Sequence, residues 1–258
     1  MNLLITGGLG HIGTFLLSNS HKLKNVNKIF VIDKLNEKML GLINLNIKKK
    51  INFINQDISR NGIILNKIKI NVVIHLASIT NAAASIKNKT EVKRNNLSCF
   101  RNVVNFCKKK KICLVHISST SIYGSQKLYV DEECKELFPQ SPYADVKIKE
   151  EKILKKTNKN FKFISLRFGT IVGPSSGMRF HTAVNKFCMQ AYLKEPLGVW
   201  KTAYNQYRPY LGLNDAIGSI LFFLNNSHWN ATYNILSGNY MLSNIVESIR
   251  SLVNVKVS

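Results

Sequence analysis

Acidic residues are scarce in this 258-residue chain: 14 Asp and Glu face 37 Lys and Arg, a formal net charge of +23. The imbalance leaves two readings, a polyanion partner such as nucleic acid or a membrane surface, or a compositional drift toward Lys, Asn and Ile. The lysine runs favour the second. Lys48-Lys49-Lys50 and Lys108 to Lys111 directly precede expected strands, where solvated turns belong. No arginine-rich arm, aromatic interleaving or nucleic-acid motif accompanies them, so a nucleic-acid partner is not expected. A general attraction for anionic nucleotides is what the charge implies. No apolar run reaches the ~18 residues of a membrane span, so no membrane partner is expected. Met1 leads straight into a core strand, leaving no room for a signal peptide. The five cysteines (Cys99, Cys107, Cys113, Cys134, Cys188) form no CxxC pair. They read as reduced packing thiols in a cytoplasmic protein. The six histidines lack ligand spacing, and no metal site is expected.

Glycine, by contrast, is concentrated where it carries meaning. Leu3-Leu4-Ile5-Thr6 runs into Gly7-Gly8-Leu9-Gly10-His11-Ile12-Gly13, and an amphipathic stretch follows to Leu23. This is how a buried parallel strand turns into a helix around a pyrophosphate. Gly7 serves the turn, Gly10 leaves bare backbone for phosphates, and Gly13 lets the helix pack closely. The helix N-terminus at His11, Ile12 and Gly13 offers unpaired N–H groups and a favourable dipole to the anion. The next apolar run, Lys28 to Ile32, ends in Asp33, 20 residues after Gly13. A carboxylate there accepts hydrogen bonds from the adenosine ribose and repels a 2′-phosphate, which favours NAD over NADP. Lys34 follows and partly offsets that repulsion.

Short β-branched runs alternate with helical patterns, the signature of an α/β protein with a Rossmann-like, doubly wound parallel sheet. Strands are expected near 2–6, 28–33, 51–54, 72–76, 112–118 and 162–168. Helices are expected near 12–22, 92–109 and 142–157, with a weaker one in the 60s. After Gly173-Pro174 the pattern changes. Helices near 180–193, 214–225 and 242–252 and a short strand at Leu197–Trp200 make a smaller C-terminal part. Residues 1–173 thus read as a dinucleotide-binding domain and 174–258 as a small lobe within one compact body.

Three further segments carry chemistry. His75-Leu76-Ala77-Ser78 ends the fourth strand with small residues against which a dinucleotide can lie, and Asp57-Ile58 closes the third, where a carboxylate can reach the adenine amino group. Val115 to Gly124 is a core strand entering a hydroxyl-rich loop. Tyr143-Ala144-Asp145-Val146-Lys147 sets a tyrosine and a lysine at i and i+4 on one helical face. Free tyrosine, with a pKa near 10, is a poor base at neutral pH. An ammonium one turn away and the positive nicotinamide of bound NAD⁺ favour the phenolate. Ser119 is placed to hold a substrate hydroxyl against it.

These segments resemble the extended short-chain dehydrogenase/reductase superfamily, specifically its NAD-dependent epimerase/dehydratase family, which acts on nucleotide sugars. The resemblance runs through TGGLGHIG, VIDK, QDI, HLAS, NNLSCFRNV, SSTSIYG, PQSPYADVK, LRFGTIVGP and YNILSG. It implies Ser119, Tyr143 and Lys147 as the catalytic set. It also implies Asn95 or Asn96 near the nicotinamide half of the cofactor, and Gly169 and Thr170 at the cofactor–substrate junction. Asn185 and Arg208 match positions that hold the diphosphate of a UDP-, GDP- or dTDP-linked sugar, within a small, shortened substrate-binding lobe. A homodimer through the helix spanning Leu97, Phe100, Val103, Val104 and Phe106 is a further expectation.

An epimerase is the reaction expected, with Tyr143 taking the proton from the sugar 4-hydroxyl while NAD accepts, then returns, the hydride. Dehydratases of the family place Asp-Glu just after the serine or threonine, where this chain has Thr120 and Ser121. A reductase or dehydrogenase using the same three residues is the alternative. A non-catalytic dinucleotide sensor or RNA-associated protein is the rival of another class.

Overall fold

The computed structural model describes residues 1–34, 51–65, 67–81, 86–125, 129–157, 161–226 and 228–258. The Lys48–Lys50 run, read as a solvated turn, lies outside them. Seven strands form one parallel sheet: β1 (Asn2–Thr6), β2 (Lys28–Asp33), β3 (Ile51–Asn55), β4 (Val72–His75), β5 (Cys113–Ser119), β6 (Phe163–Phe168) and β9 (Ala231–Ile235), in the order β3-β2-β1-β4-β5-β6-β9. The order reverses direction between β1 and β4, the crevice where ligands bind in open α/β sheets.

Both faces of the sheet are covered, which is why its central strands read as continuous apolar runs. Leu3 and Ile5 of β1 point to one side, against Leu16 and Leu17 of α1 (His11–Ser18) and Ile217 and Ile220 of α6 (Leu213–Asn225). Leu4 points to the other, where Phe100, Val103 and Val104 of α3 (Lys89–Lys110) and Leu154 of α4 (Pro142–Thr157) pack. The apolar residues of α3 named as a dimer face are thus partly core: Phe100, Val103 and Val104 are buried, while Leu97 and Phe106 are half-buried. Cys99 and Cys107 lie in the same layer, and burial raises both thiols, Cys99 to about 12. Among the described residues no helix is long and apolar enough to cross a membrane.

Several elements differ from the expectation. The helix in the 60s is one turn, α2 (Ile58–Asn61), capped by Asp57 and ended at Gly62. α1 stops at Ser18, followed by a 3₁₀ turn over Ser20–Lys22. Leu197–Trp200 is not a strand; Leu197 makes a single bridge to Val257. Three other strands, β7 (Thr170–Val172), β8 (Tyr207–Gly212) and β10 (Gly238–Met241), make a small second sheet ordered β10-β8-β7. Its middle strand holds Pro209, a residue that argues against a central strand when read in sequence. The C-terminal part is also woven into the first: β9 completes the main sheet beside β6, and α6 packs on α1. Among the described residues the remaining α-helices are α5 (Ala183–Tyr192) and α7 (Leu242–Leu252).

α4 is tied to the sheet by charge as well as by packing. Glu151 accepts hydrogen bonds from Arg167 Nε (3.0 Å) and Nη2 (2.8 Å) on β6 and from Ser118 Oγ on β5, all buried. Burial opposes ionisation of Glu151, but the Arg167 and Ser118 contacts outweigh it and hold the carboxyl below its usual range. Glu151→Gln leaves the Arg167 charge uncompensated, and we expect a loss of about 3 kcal/mol in urea denaturation at neutral pH. A depressed folded pKa stabilises above the unfolded value, and that contribution disappears as pH falls through the folded one. The difference between parent and variant should therefore shrink below about pH 4.

Candidate active site

One cavity opens at the β1–β4 crevice. Among the described residues it is lined by Gly7, Gly10, His11, Ile12, Gly13, His75, Leu76, Ser78, Ser119, Tyr143, Lys147, Gly169, Thr170, Arg179, His181 and Thr182, with others between. Its floor is the glycine loop. Gly7 has φ +75°, and a Cβ there would lie 2.5 Å from the backbone nitrogen of Ala77, so β1 and β4 can leave the sheet side by side only with glycine. At Gly13 a Cβ would lie 2.4 Å from the Gly8 carbonyl oxygen. The third glycine therefore packs the helix on its own loop.

The catalytic candidates meet on one wall. Ser119 ends β5, where its Oγ accepts a 3.2 Å hydrogen bond from Ser121 N. Tyr143 and Lys147 lie one turn apart on α4, the ammonium 5.7 Å from the centre of the tyrosine ring. Lys147 is buried and donates to Glu150 Oε2 at 2.8 Å. Burial alone favours the neutral amine, but Glu150, Tyr143 and Glu151 together raise its pKa above the ordinary lysine value. The same Glu150 oxygen accepts from His116 Nε2 at 2.9 Å, and His116 Nδ1 meets Ser165 Oγ at 2.9 Å. Burial lowers the His116 pKa, so the neutral ring carries its proton on Nε2 and accepts from Ser165.

Other candidates take different places. Asp33 accepts from Leu9 N at 2.8 Å and Lys34 N at 2.8 Å, bracing the glycine loop. Lys34 reaches Asp57 at 3.2 Å, and Asp57 caps α2 through Ser59. Those contacts hold the Asp57 carboxyl below its usual range against the effect of burial. Ile58 is core. Asn96 is buried, and its amide bonds both N (2.8 Å) and O (3.0 Å) of Ile79, pinning the chain after β4; Asn95 donates to Asn96. Asn185 likewise spends its amide on Gly173 N and Arg179 O. Arg208 faces a separate cleft with Thr120, Tyr123, Tyr207 and Asn239, and donates to Gln206 Oε1.

The segment after β7 is a strap across the glycine loop. His11 Nε2 donates to Gly173 O at 2.7 Å, Ser175 Oγ to His11 O at 2.9 Å, and Gly177 N to Thr14 Oγ1 at 2.9 Å. It carries Arg179 so far in that the guanidinium would lie 3.4 Å from a Cβ on Gly10. Burial lowers the Arg179 pKa. In sequence, the unusual run Met178-Arg179-Phe180-His181 leaves Arg179 between a substrate contact and a capped helix start, and nothing in the sequence draws attention to Glu150.

The cavity suits a large polar anion. Of five buried side-chain atoms without a partner among the described residues, three line it: His75 Nε2, Ser78 Oγ and Thr182 Oγ1. An α-helix N-terminus and the half-buried Arg179 face the same spot. A family model for NAD dependent epimerases and dehydratases matches residues 3–235. The chain belongs to the NAD dependent epimerase/dehydratase family. Membership carries NAD as the cofactor, which the glycine loop, Asp33 and the orphaned polar atoms fit. An ADP-L-glycero-D-manno-heptose-6-epimerase of Brachyspira hyodysenteriae is 25% identical over 92% of this chain and 76% of its own length. A dTDP-D-glucose 4,6-dehydratase of Dictyostelium discoideum is 28% identical over 99% of this chain but 62% of its own. The chain therefore spans between about three-fifths and three-quarters of these curated relatives. Among solved structures, UDP-glucuronic acid 4-epimerase from Bacillus cereus, in complex with UDP-glucuronic acid and NAD, shares the fold: 24% identity, TM-score 0.87, covering 100% of this chain and 85% of that one.

Tyr143→Phe in this family member removes the only phenol at the Lys147 wall of the described cavity. We expect turnover to fall by about 10²–10⁴ while NAD affinity, measured by calorimetry, changes little. Full activity in Tyr143→Phe would remove Tyr143 from the chemistry.

Proposed function

We propose that the protein is an NAD-dependent nucleotide-sugar epimerase that oxidises and re-reduces one sugar carbon, C4, of a UDP-, GDP- or dTDP-linked substrate. The observation that carries the reading is the convergence of Ser119, Tyr143 and Lys147 on a cavity whose described lining contains no carboxyl group. Dehydration needs an acid to expel the leaving hydroxyl. At the two positions after Ser119 the chain offers Thr120, whose hydroxyl donates to Phe168 O, and Ser121. Epimerisation needs only one group that removes and returns a proton at the same oxygen.

Bound NAD supplies the hydride acceptor and donor. Ser119 holds the sugar hydroxyl, and Tyr143 takes its proton and later gives it back. Lys147 stabilises the phenolate from one turn away. Gly169 and Thr170 form the junction between cofactor and sugar, and Arg208 supplies a fork for the substrate diphosphate. Asn185 acts on that diphosphate through the strap it holds. Arg179 compensates the cofactor diphosphate at Gly10. The strap over the glycine loop supports a cofactor that stays bound, as an epimerase requires, over the exchanging cofactor of a reductase. The reading includes a cytoplasmic enzyme and a homodimer in which Leu97 and Phe106 contribute from α3; only monomers in light scattering at micromolar concentration would remove the dimer.

Denaturing freshly purified protein should release NAD or NADH in near-stoichiometric amount. NMR with UDP-, GDP- and dTDP-sugars should then show an inverted stereocentre without net redox change. Protein that is free of nucleotide and oxidises or reduces its substrate stoichiometrically would be a reductase instead. Arg179→Gln should weaken NAD and ADP-ribose alike by about 10–100-fold in calorimetry, the worth of a lost charge-assisted hydrogen bond or two. Unchanged affinity for both would take Arg179 off the diphosphate.

A further inference from the structure

The reaction proposed for Tyr143 and Lys147 makes no use of Glu150, yet Glu150 is among the most completely buried charges of the molecule, 1% exposed. A carboxylate taken out of water costs several kcal/mol, and an apolar residue would pack this face of α4 more cheaply. Two donors hold it. Lys147 Nζ lies at 2.8 Å and His116 Nε2 at 2.9 Å, both on Oε2. Behind them Phe100 is wedged between the rings of His75 and His116, with centroids at 5.8 and 4.9 Å. The carboxylate is therefore fixed in place from the sheet side, and Lys147 is fixed to it.

The surrounding charges leave this role to Glu150. From α4, Lys147 is faced by Tyr143, Glu150 and Glu151, and Glu151 is neutralised by Arg167 of β6. From β5 and β4 come His116 and His75, both kept neutral by burial, His75 with its pKa lowered to about 3. Arg179, from the strap, lines the same cavity and adds positive charge. Asp145 is turned outward to Lys93 at 3.5 Å. When the cavity fills and water leaves, an ammonium in this wall has a nicotinamide cation and Arg179 near it and Glu150 as its carboxylate. Without it, a buried lysine becomes a neutral amine.

We propose that Glu150, braced by His116, is a positioning residue that keeps Lys147 protonated and fixed in the cavity wall while Tyr143 exchanges its proton. The proposal rests on the reading of Tyr143 and Lys147 as the acid–base pair. One of the three ammonium hydrogens is committed to Glu150, leaving two for the ligand side.

The test is NMR of protein labelled with [13Cε]lysine and saturated with NAD, the Lys147 signal being assigned by its loss in Lys147→Met. In the parent this signal should stay in its charged position to pH 10. In Glu150→Gln it should titrate at least about 2 pH units lower than in the parent. His116→Phe, which leaves the ion pair, should move it the same way by less. In turnover, Glu150→Gln should lower kcat as pH rises through the new Lys147 value, with KM little changed. A Lys147 titration in Glu150→Gln that matches the parent overturns the proposal. If that variant does not fold, an unmoved signal in His116→Phe overturns it. The titration needs no sugar substrate, so it fails or succeeds separately from the epimerase reading.

Discussion

Everything at this site depends on where one helix sits. α4 carries Tyr143, Lys147 and two successive carboxylates, Glu150 and Glu151, on one stripe: the first two reach the cavity, and the carboxylates, a turn further along, meet the strands of the sheet. Each carboxylate has its own answer from the strands: His116 for Glu150, and Ser118 with Arg167 for Glu151. Buried ion pairs are weak evidence for stability, because desolvation consumes most of the attraction. Their value here is placement. Leucines at the two positions would bury well in several rotations of the helix, whereas hydrogen-bonded carboxylates meet their partners in one. That rotation decides whether the tyrosine and the ammonium reach the cavity wall formed by Ser119.

The opposite wall follows a different logic. There the wall is largely backbone, and side chains are used to shape it. Asp33 holds the glycine loop, Asn96 the chain after β4, and Asn185 the strap, each by hydrogen bonds to main-chain groups. With the backbone fixed, the α1 N-terminus and Arg179 face the same point near Gly10 from two elements far apart in sequence. A diphosphate there meets preorganised charge and needs little rearrangement of the protein. The strap also explains why His11 stands in the glycine motif: its ring ties the helix start to Gly173.

Most of this architecture was legible in the chain. Strands buried on both faces announce themselves as β-branched runs, and β1, β2 and β4 to β6 lie within a residue or two of their expected bounds. Of the strands missed, β9, Ala231-Thr232-Tyr233-Asn234-Ile235, does not look apolar, β8 contains a proline, and β7, Thr170-Ile171-Val172, is only three residues long. Ser119, Tyr143 and Lys147 stand out in the sequence because the proposed chemistry needs those residue types at that spacing, and the fold brings all three to one cavity. Glu150 was not, since a glutamate three residues from a lysine in a lysine-rich helix reads as a solvated pair. Only the depth of α4 in the sheet, a tertiary fact, makes it a buried one. Asn95 or Asn96, and Asn185, were matched to ligand positions by resemblance, and in the fold the amides of Asn96 and Asn185 bond to backbone.

The most direct test of this account is a crystal structure with NAD bound. The account predicts the diphosphate on the Gly10 turn beneath Arg179, and the nicotinamide ribose beside Tyr143 and Lys147. It predicts that Lys147 still holds Glu150 and that Glu150 still holds His116. A cofactor bound elsewhere, or a Lys147 that has swung away from Glu150 to reach it, would contradict the claim that the buried carboxylates of α4 set the site.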